Sequence, residues 1–207
     1  MEVLVLGIGN VLWADEGFGV RAVEALNEAY EFPAGVELLD GGTQGLHLLD
    51  YVCDARRLIL FDAVDYRLPP GTLAVVRDDD VPAWGSSKMS MHQTTFQELL
   101  GLARLKGRVP QRMLLIGVQP EDLSDYGGSL RESVHTRVPE AVALAVKELE
   151  TWGFPPRPRA AGSAADRLNS PALAIDGYEA GRPSAEAACR MGDARFLNRR
   201  ADLAERA

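Results

Sequence analysis

Apolar positions along this chain alternate between two rhythms. Short apolar-rich runs read as strands: Val3 to Leu6, Val36 to Asp40, Leu58 to Phe61, Thr72 to Val76 and Arg112 to Ile116. The run Leu58-Ile59-Leu60-Phe61 is apolar without interruption, as a central parallel strand buried on both faces requires. Elsewhere the spacing becomes helical. Val20, Val23, Leu26 and Tyr30 share a face, as do Leu46, Leu49 and Val52 in a helix expected over about 44–53. Phe96, Leu99, Leu100 and Ala103 form a third stripe, ending near Leu105, and Val142, Ala145, Leu149 and Trp152 a fourth, over about 139–152. Strands alternating with helices predict an α/β fold: a three-layer, mostly parallel, twisted sheet of about five strands flanked by helices. Only the turn Pro69-Pro70-Gly71 precedes Thr72 to Val76. That strand is therefore expected to run antiparallel, as a hairpin-like neighbour of the strand before it.

The pattern stops at Gly153-Phe154-Pro155-Pro156-Arg157-Pro158. Residues 1–152 are expected to be the folded domain and 153–207 a disordered tail, rich in Ala, Arg, Gly and Pro and poor in apolar periodicity. Charge divides at the same place: the formal net charge of -8 comes from -10 in residues 1–152 and +2 in the rest. An acidic domain argues against a nucleic-acid partner. The two cysteines, Cys53 and Cys189, form no metal or redox spacing, which suits a reducing, cytoplasmic setting. No basic leader precedes the first strand and no apolar run approaches ~20 residues, so neither a signal peptide nor a membrane span is expected.

Candidate chemistry begins where the first strand ends, at Gly7-Ile8-Gly9-Asn10, followed by Asp15-Glu16 at the start of a helix. A dinucleotide turn would need a third glycine at position 12, where Leu12 stands. Carboxylates at a helix N-terminus repel phosphate and attract cations. In open α/β sheets ligands sit beyond the carboxyl ends of the strands. Glu16 after the first strand, Asp62 ending the third and His92 after the fourth can converge there. Two carboxylates and an imidazole suit a divalent transition metal such as nickel, zinc, copper or iron. Each has a plainer role open to it: Asp62 as a strand-end turn former, His92 as a loop histidine bonded to backbone, and the Asp15-Glu16 pair as helix cap and solvated first turn. His47 and His135 read as surface residues and Cys53 as packing. Ser90 lies near His92, but no Gly-x-Ser-x-Gly elbow exists. Asp15, Asp40, Asp62 and Asp65 could supply an acid pair.

Five motifs occur in order: Gly7-Ile8-Gly9-Asn10 with Asp15-Glu16-Gly17-x-Gly19, Asp40-Gly41-Gly42-Thr43, Asp62-Ala63, His92-Gln93 and Gly117-Val118-Gln119-Pro120. Together they resemble the hydrogenase maturation endopeptidases, which trim the C-terminal extension from [NiFe] hydrogenase large-subunit precursors. Leu68-Pro69-Pro70-Gly71-Thr72 and Met91-His92-Gln93-Thr94 look closest to the branch serving uptake hydrogenases. The resemblance implies a peptidase grouped with aspartic endopeptidases, whose partner is the large-subunit precursor. It implies that Glu16, Asp62 and His92 recognise nickel already carried by that substrate, with no resident cofactor. The group that performs the hydrolysis stays open between a carboxylate (Asp15, Asp40 or Asp62) and water activated by the metal, with backbone N–H groups near Gly41-Gly42-Thr43 as expected oxyanion donors. A non-proteolytic nickel-sensing assembly factor is the competing reading.

Overall fold

The computed structural model describes residues 1–83, 91–160 and 162–181, without the side chains of 82, 83 and 91–95. In chain order its elements are β1 (Val3–Ile8), a 3-10 turn (Ala14–Gly17) entering α1 (Phe18–Ala29), β2 (Tyr30–Glu31), β3 (Val36–Gly42), and a 3-10 turn (Gly45–Leu48) entering α2 (Leu49–Asp54). β4 (Arg57–Ala63), β5 (Leu73–Arg77), a 3-10 turn (Asp78–Ala83), α3 (Met91–Leu105) and β6 (Arg112–Val118) follow. The chain continues through α4 (Glu132–His135), α5 (Val138–Thr151), β7 (Arg157–Pro158), a 3-10 turn (Pro171–Leu173) and α6 (Ile175–Ala180).

The main sheet has five strands in the order β3-β1-β4-β6-β5. All neighbours are parallel except β5, which runs antiparallel to β6. The central strands are those whose residues are apolar on both faces. β1 is buried throughout, and β4 and β6 are buried after their first residue. Alternate side chains divide between two cores, as the two-residue period of a strand dictates. Val3, Val5, Ile59, Phe61, Leu114 and Ile116 meet α1 and α5 on one face. Leu4, Leu6, Leu58, Leu60, Met113 and Leu115 meet α2 and α3 on the other. Phe96, Leu99, Leu100 and Ala103 of α3 are buried, as their spacing predicts.

Three expectations change. The antiparallel strand is present, but it does not pair with the strand before it in the chain. β6 lies between β4 and β5. Met113 to Val118 must be covered on both sides, whereas no residue of β5 is fully buried, which suits an edge. The helix expected over 44–53 begins instead as a 3-10 turn, with no side-chain cap. Its three-residue period shifts the inward face, so Leu48 and Val52 are buried while Leu46 is exposed.

The third change is the boundary at 152. Phe154 and Leu168 pack on the α1–α5 core, and β7 pairs antiparallel with β2. Arg159 donates to the carbonyls of Tyr30 (2.7 Å) and Asn27 (3.0 Å). Residues 162–181 then run back along α1. Apart from Leu168, this segment is held by single polar contacts rather than an apolar stripe, so its sequence resembles a disordered tail. Residues 182–207 lie outside the described residues.

Candidate functional site

The carboxyl ends of β1, β3, β4 and β6 share one rim of the sheet. Three glycines bring its parts together. A Cβ on Gly19 would lie 2.2 Å from the Ile8 carbonyl oxygen and 2.3 Å from that of Phe61. The first turn of α1 therefore rests directly on the ends of β1 and β4. A Cβ on Gly7 would fall 2.3 Å from the Gly19 carbonyl oxygen, closing the same junction from the strand side. Gly9 has φ +134, and a Cβ there would lie 1.9 Å from the Glu16 carbonyl oxygen. Glu16 is thus seated over the end of β1, in a 3-10 turn that packs on β4, one turn before Gly19. Asp62 follows Phe61 on β4, fully buried and paired in register with Gly117 of β6. Two of the three expected metal ligands therefore stand on adjoining parts of one rim.

His92 falls in the first turn of α3, and its side chain is outside the described residues. Among the described residues no group of three His, Cys, Asp or Glu side chains is placed to hold a metal ion. His47 and His135 are both exposed, and Cys53 is buried in α2.

The three candidate carboxylates have different surroundings. Asp15 is fully buried and accepts three backbone N–H groups: Glu121 (2.8 Å), Asp122 (2.9 Å) and Arg131 (2.7 Å). These bonds hold the loop after β6 against the loop after β1. Trp13 meets Tyr126 edge-on at 5.2 Å in the same junction, and the Gly127 N–H donates to the Leu12 carbonyl. Asp40 is half-buried. Its Oδ1 accepts the Gly42 N–H at 2.9 Å and its Oδ2 accepts Asn169 Nδ2 at 2.8 Å. The Gly42 N–H expected as an oxyanion donor is therefore committed to Asp40. Asp62 is buried beside Tyr66. Burial, and then the negative charge of Asp62, push the Tyr66 phenol up to about 12.

Three further residues shape the rim. Gln119, 6% exposed, accepts the N–H groups of Tyr66 and Leu68 and donates to Asp65, so it ties the loop after β4 to the end of β6. Its signal is the Gly117-Val118-Gln119-Pro120 motif. Arg131 donates to Asp122 at 2.7 Å and to Asp125 at 3.0 Å. The Ser124 N–H and then Arg131 hold the Asp122 carboxyl down at about 2, and Arg131 is itself raised, first by Asp122. Asn169 comes from the segment read as a tail, where nothing in its spacing marks it.

A family model described as hydrogenase maturation protease matches residues 20–148, well over half the chain and including the positions of Asp40, Asp62 and His92. The chain belongs to the hydrogenase maturation protease family. The hydrogenase expression/formation protein HupD of Rhodobacter capsulatus is 57% identical over 197 residues, 95% of this chain and 93% of that protein. The hydrogenase 2 maturation protease of Escherichia coli is 40% identical over 162 residues, 78% of this chain and 98% of that protein. The solved structure of the hydrogenase maturating endopeptidase HybD from E. coli is similar with a TM-score of 0.73 at 39% identity, covering 77% of this chain and 98% of that one. This family member is therefore an endopeptidase by descent. The HupD match extends over much more of the chain than either E. coli match.

Proposed function

We propose that the chain removes the C-terminal extension of a [NiFe] hydrogenase large-subunit precursor of the uptake branch, in the cytoplasm, after nickel has been inserted. Glu16, Asp62 and His92 complete the coordination of nickel carried by the substrate. The observation that carries this reading is the glycine junction at Gly7, Gly9 and Gly19, which seats Glu16 beside the strand end that bears Asp62. Carboxylate oxygens held on rigid elements suit a divalent ion presented from outside. Leu12, Trp13 and Tyr126, all exposed, offer apolar surface on the same rim for the precursor's chain.

Nickel in the substrate acts as a positioning group, because a precursor gripped at its metal brings the scissile peptide to a fixed place on the rim. Among the carboxylates, Asp15 is enclosed and occupied by three N–H groups, and Asp62 is enclosed at the metal position. Asp40 is the one that is only half-buried. It takes the proton from a water attacking the scissile carbonyl and returns it to the departing amine.

Incubating the purified chain with nickel-loaded and nickel-free precursor, with mass spectrometry of the products, tests the proposal. A short C-terminal peptide is expected from the loaded precursor alone. Nickel-dependent binding without peptide release would select the assembly-factor reading instead.

A further inference from the structure

Residues 162–181 follow α1 backwards along one of its faces. Asn27, Glu24 and Arg21 are three residues apart, so they form one stripe on the helix. Asn27 Nδ2 donates to the Asp166 carbonyl at 2.8 Å. Glu24 Oε1 accepts from Asn169 Nδ2 at 2.6 Å. Arg21, 6% exposed, donates to Glu24 Oε2 at 2.8 Å and to the Leu173 carbonyl at 2.5 Å, and its guanidinium lies 5.8 Å from the centre of the Tyr178 ring. Beyond Tyr178, Glu179 accepts from Ser129 on the loop after β6. The segment thus starts at the far end of α1 and finishes at the rim.

Asn169 lies where this path passes the end of β3. Its amide nitrogen has two hydrogens, and they go to Glu24 Oε1 and Asp40 Oδ2. Two carboxylates brought this close repel one another, and a neutral double donor between them removes that conflict. Asp40 is then held from both sides: the Gly42 N–H fixes one oxygen and Asn169 the other. The orientation of a group that must meet an attacking water depends on such supporting bonds.

We propose that Asn169 is a positioning residue for Asp40, and that residues 162–181 complete the active site from outside the sheet. This rests on the reading that Asp40 serves the cleavage chemistry. Arg21 and Glu24 act one step further back, anchoring the segment so that the amide of Asn169 stays on Asp40.

The test uses the full chain and nickel-loaded precursor, with kcat and KM measured separately for Asn169→Ala, Asn169→Asp, Asp40→Asn and Asn27→Ala. Asn169→Asp keeps the shape and replaces the donor with a third carboxylate. Asn27→Ala removes a bond that holds the same segment but does not touch Asp40. The expected result is a fall in kcat of about tenfold or more in both Asn169 variants, the scale of one lost hydrogen bond to a charged group. The fall is larger in Asn169→Asp, KM stays near the native value, and Asn27→Ala keeps native kcat. Native kcat in both Asn169 variants, with Asp40→Asn inactive, would overturn the positioning role and leave the cleavage reading intact. Native kcat in Asp40→Asn would overturn the assignment of Asp40, and the role of Asn169 with it. An equal fall in Asn27→Ala would reduce the segment to a structural brace.

Discussion

Replacing Asp15 separates a structural carboxylate from a chemical one. The side chain is fully buried and accepts three backbone N–H groups at 2.7–2.9 Å. Asp15→Asn keeps the shape, but its amide nitrogen must face either the Arg131 N–H or the pair from Glu121 and Asp122. At least one bond to a charged acceptor is lost, which costs about 1.5–3 kcal/mol. The others drop to neutral strength, roughly half their former value. The sum is about 3–6 kcal/mol. With a urea dependence of about 1–3 kcal/mol per molar, the unfolding midpoint should fall by about 1 M or more. Amide exchange at residues 121, 122 and 131 should accelerate before the rest of the sheet, because the loop after β6 loses its anchor. An unchanged midpoint together with abolished cleavage would refute this argument and place Asp15 in the chemistry.

Gly19→Ala should destabilise the fold by about 3 kcal/mol or more, beyond the usual cost of overpacking, because the new methyl meets two backbone oxygens at 2.2 and 2.3 Å; chemical denaturation measures it. Tyr66 should ionise near pH 12 in an ultraviolet titration, and Asp62→Asn should bring it down by removing the neighbouring charge. A raised phenol favours the fold while protonated, so its contribution is complete below about 10 and is lost as pH climbs toward 12. Asp122 has the opposite sign. Its depressed carboxyl stabilises the fold above the usual 3.8, and that stability disappears as pH falls toward 2. In Asp122→Asn the acid limb of the stability curve should be shallower over that window. The difference should shrink in high salt, since the pair with Arg131 is partly exposed.

Much of the fold was legible because local pattern and tertiary burial agree. The stripe Phe96, Leu99, Leu100, Ala103 and the run Leu58 to Phe61 are buried where their periods place them. The partner of β5 was not legible, since strand order depends on which runs need two covered faces rather than on loop length. Glu16 and Asp62 could be placed on one rim from the strand ends alone. The structural duty of Asp15 could not, because its three donors lie 106 to 116 residues away. Asn169 and the folded segment around it were hidden for the same reason. Their partners are single polar groups on α1 and β3, and polar stripes such as Arg21, Glu24 and Asn27 look like a solvated helix face until something is found lying on them.

The proposed role of Glu16, Asp62 and His92 is to read nickel carried by the substrate. The most direct measurement is the affinity of the chain for nickel-loaded and nickel-free large-subunit precursor, compared among the native protein, Glu16→Gln, Asp62→Asn and His92→Ala. Tight binding of the loaded precursor by the native chain, loss of that preference in each variant, and unchanged binding of the nickel-free precursor are expected. A preference for nickel that survives all three substitutions would contradict that role.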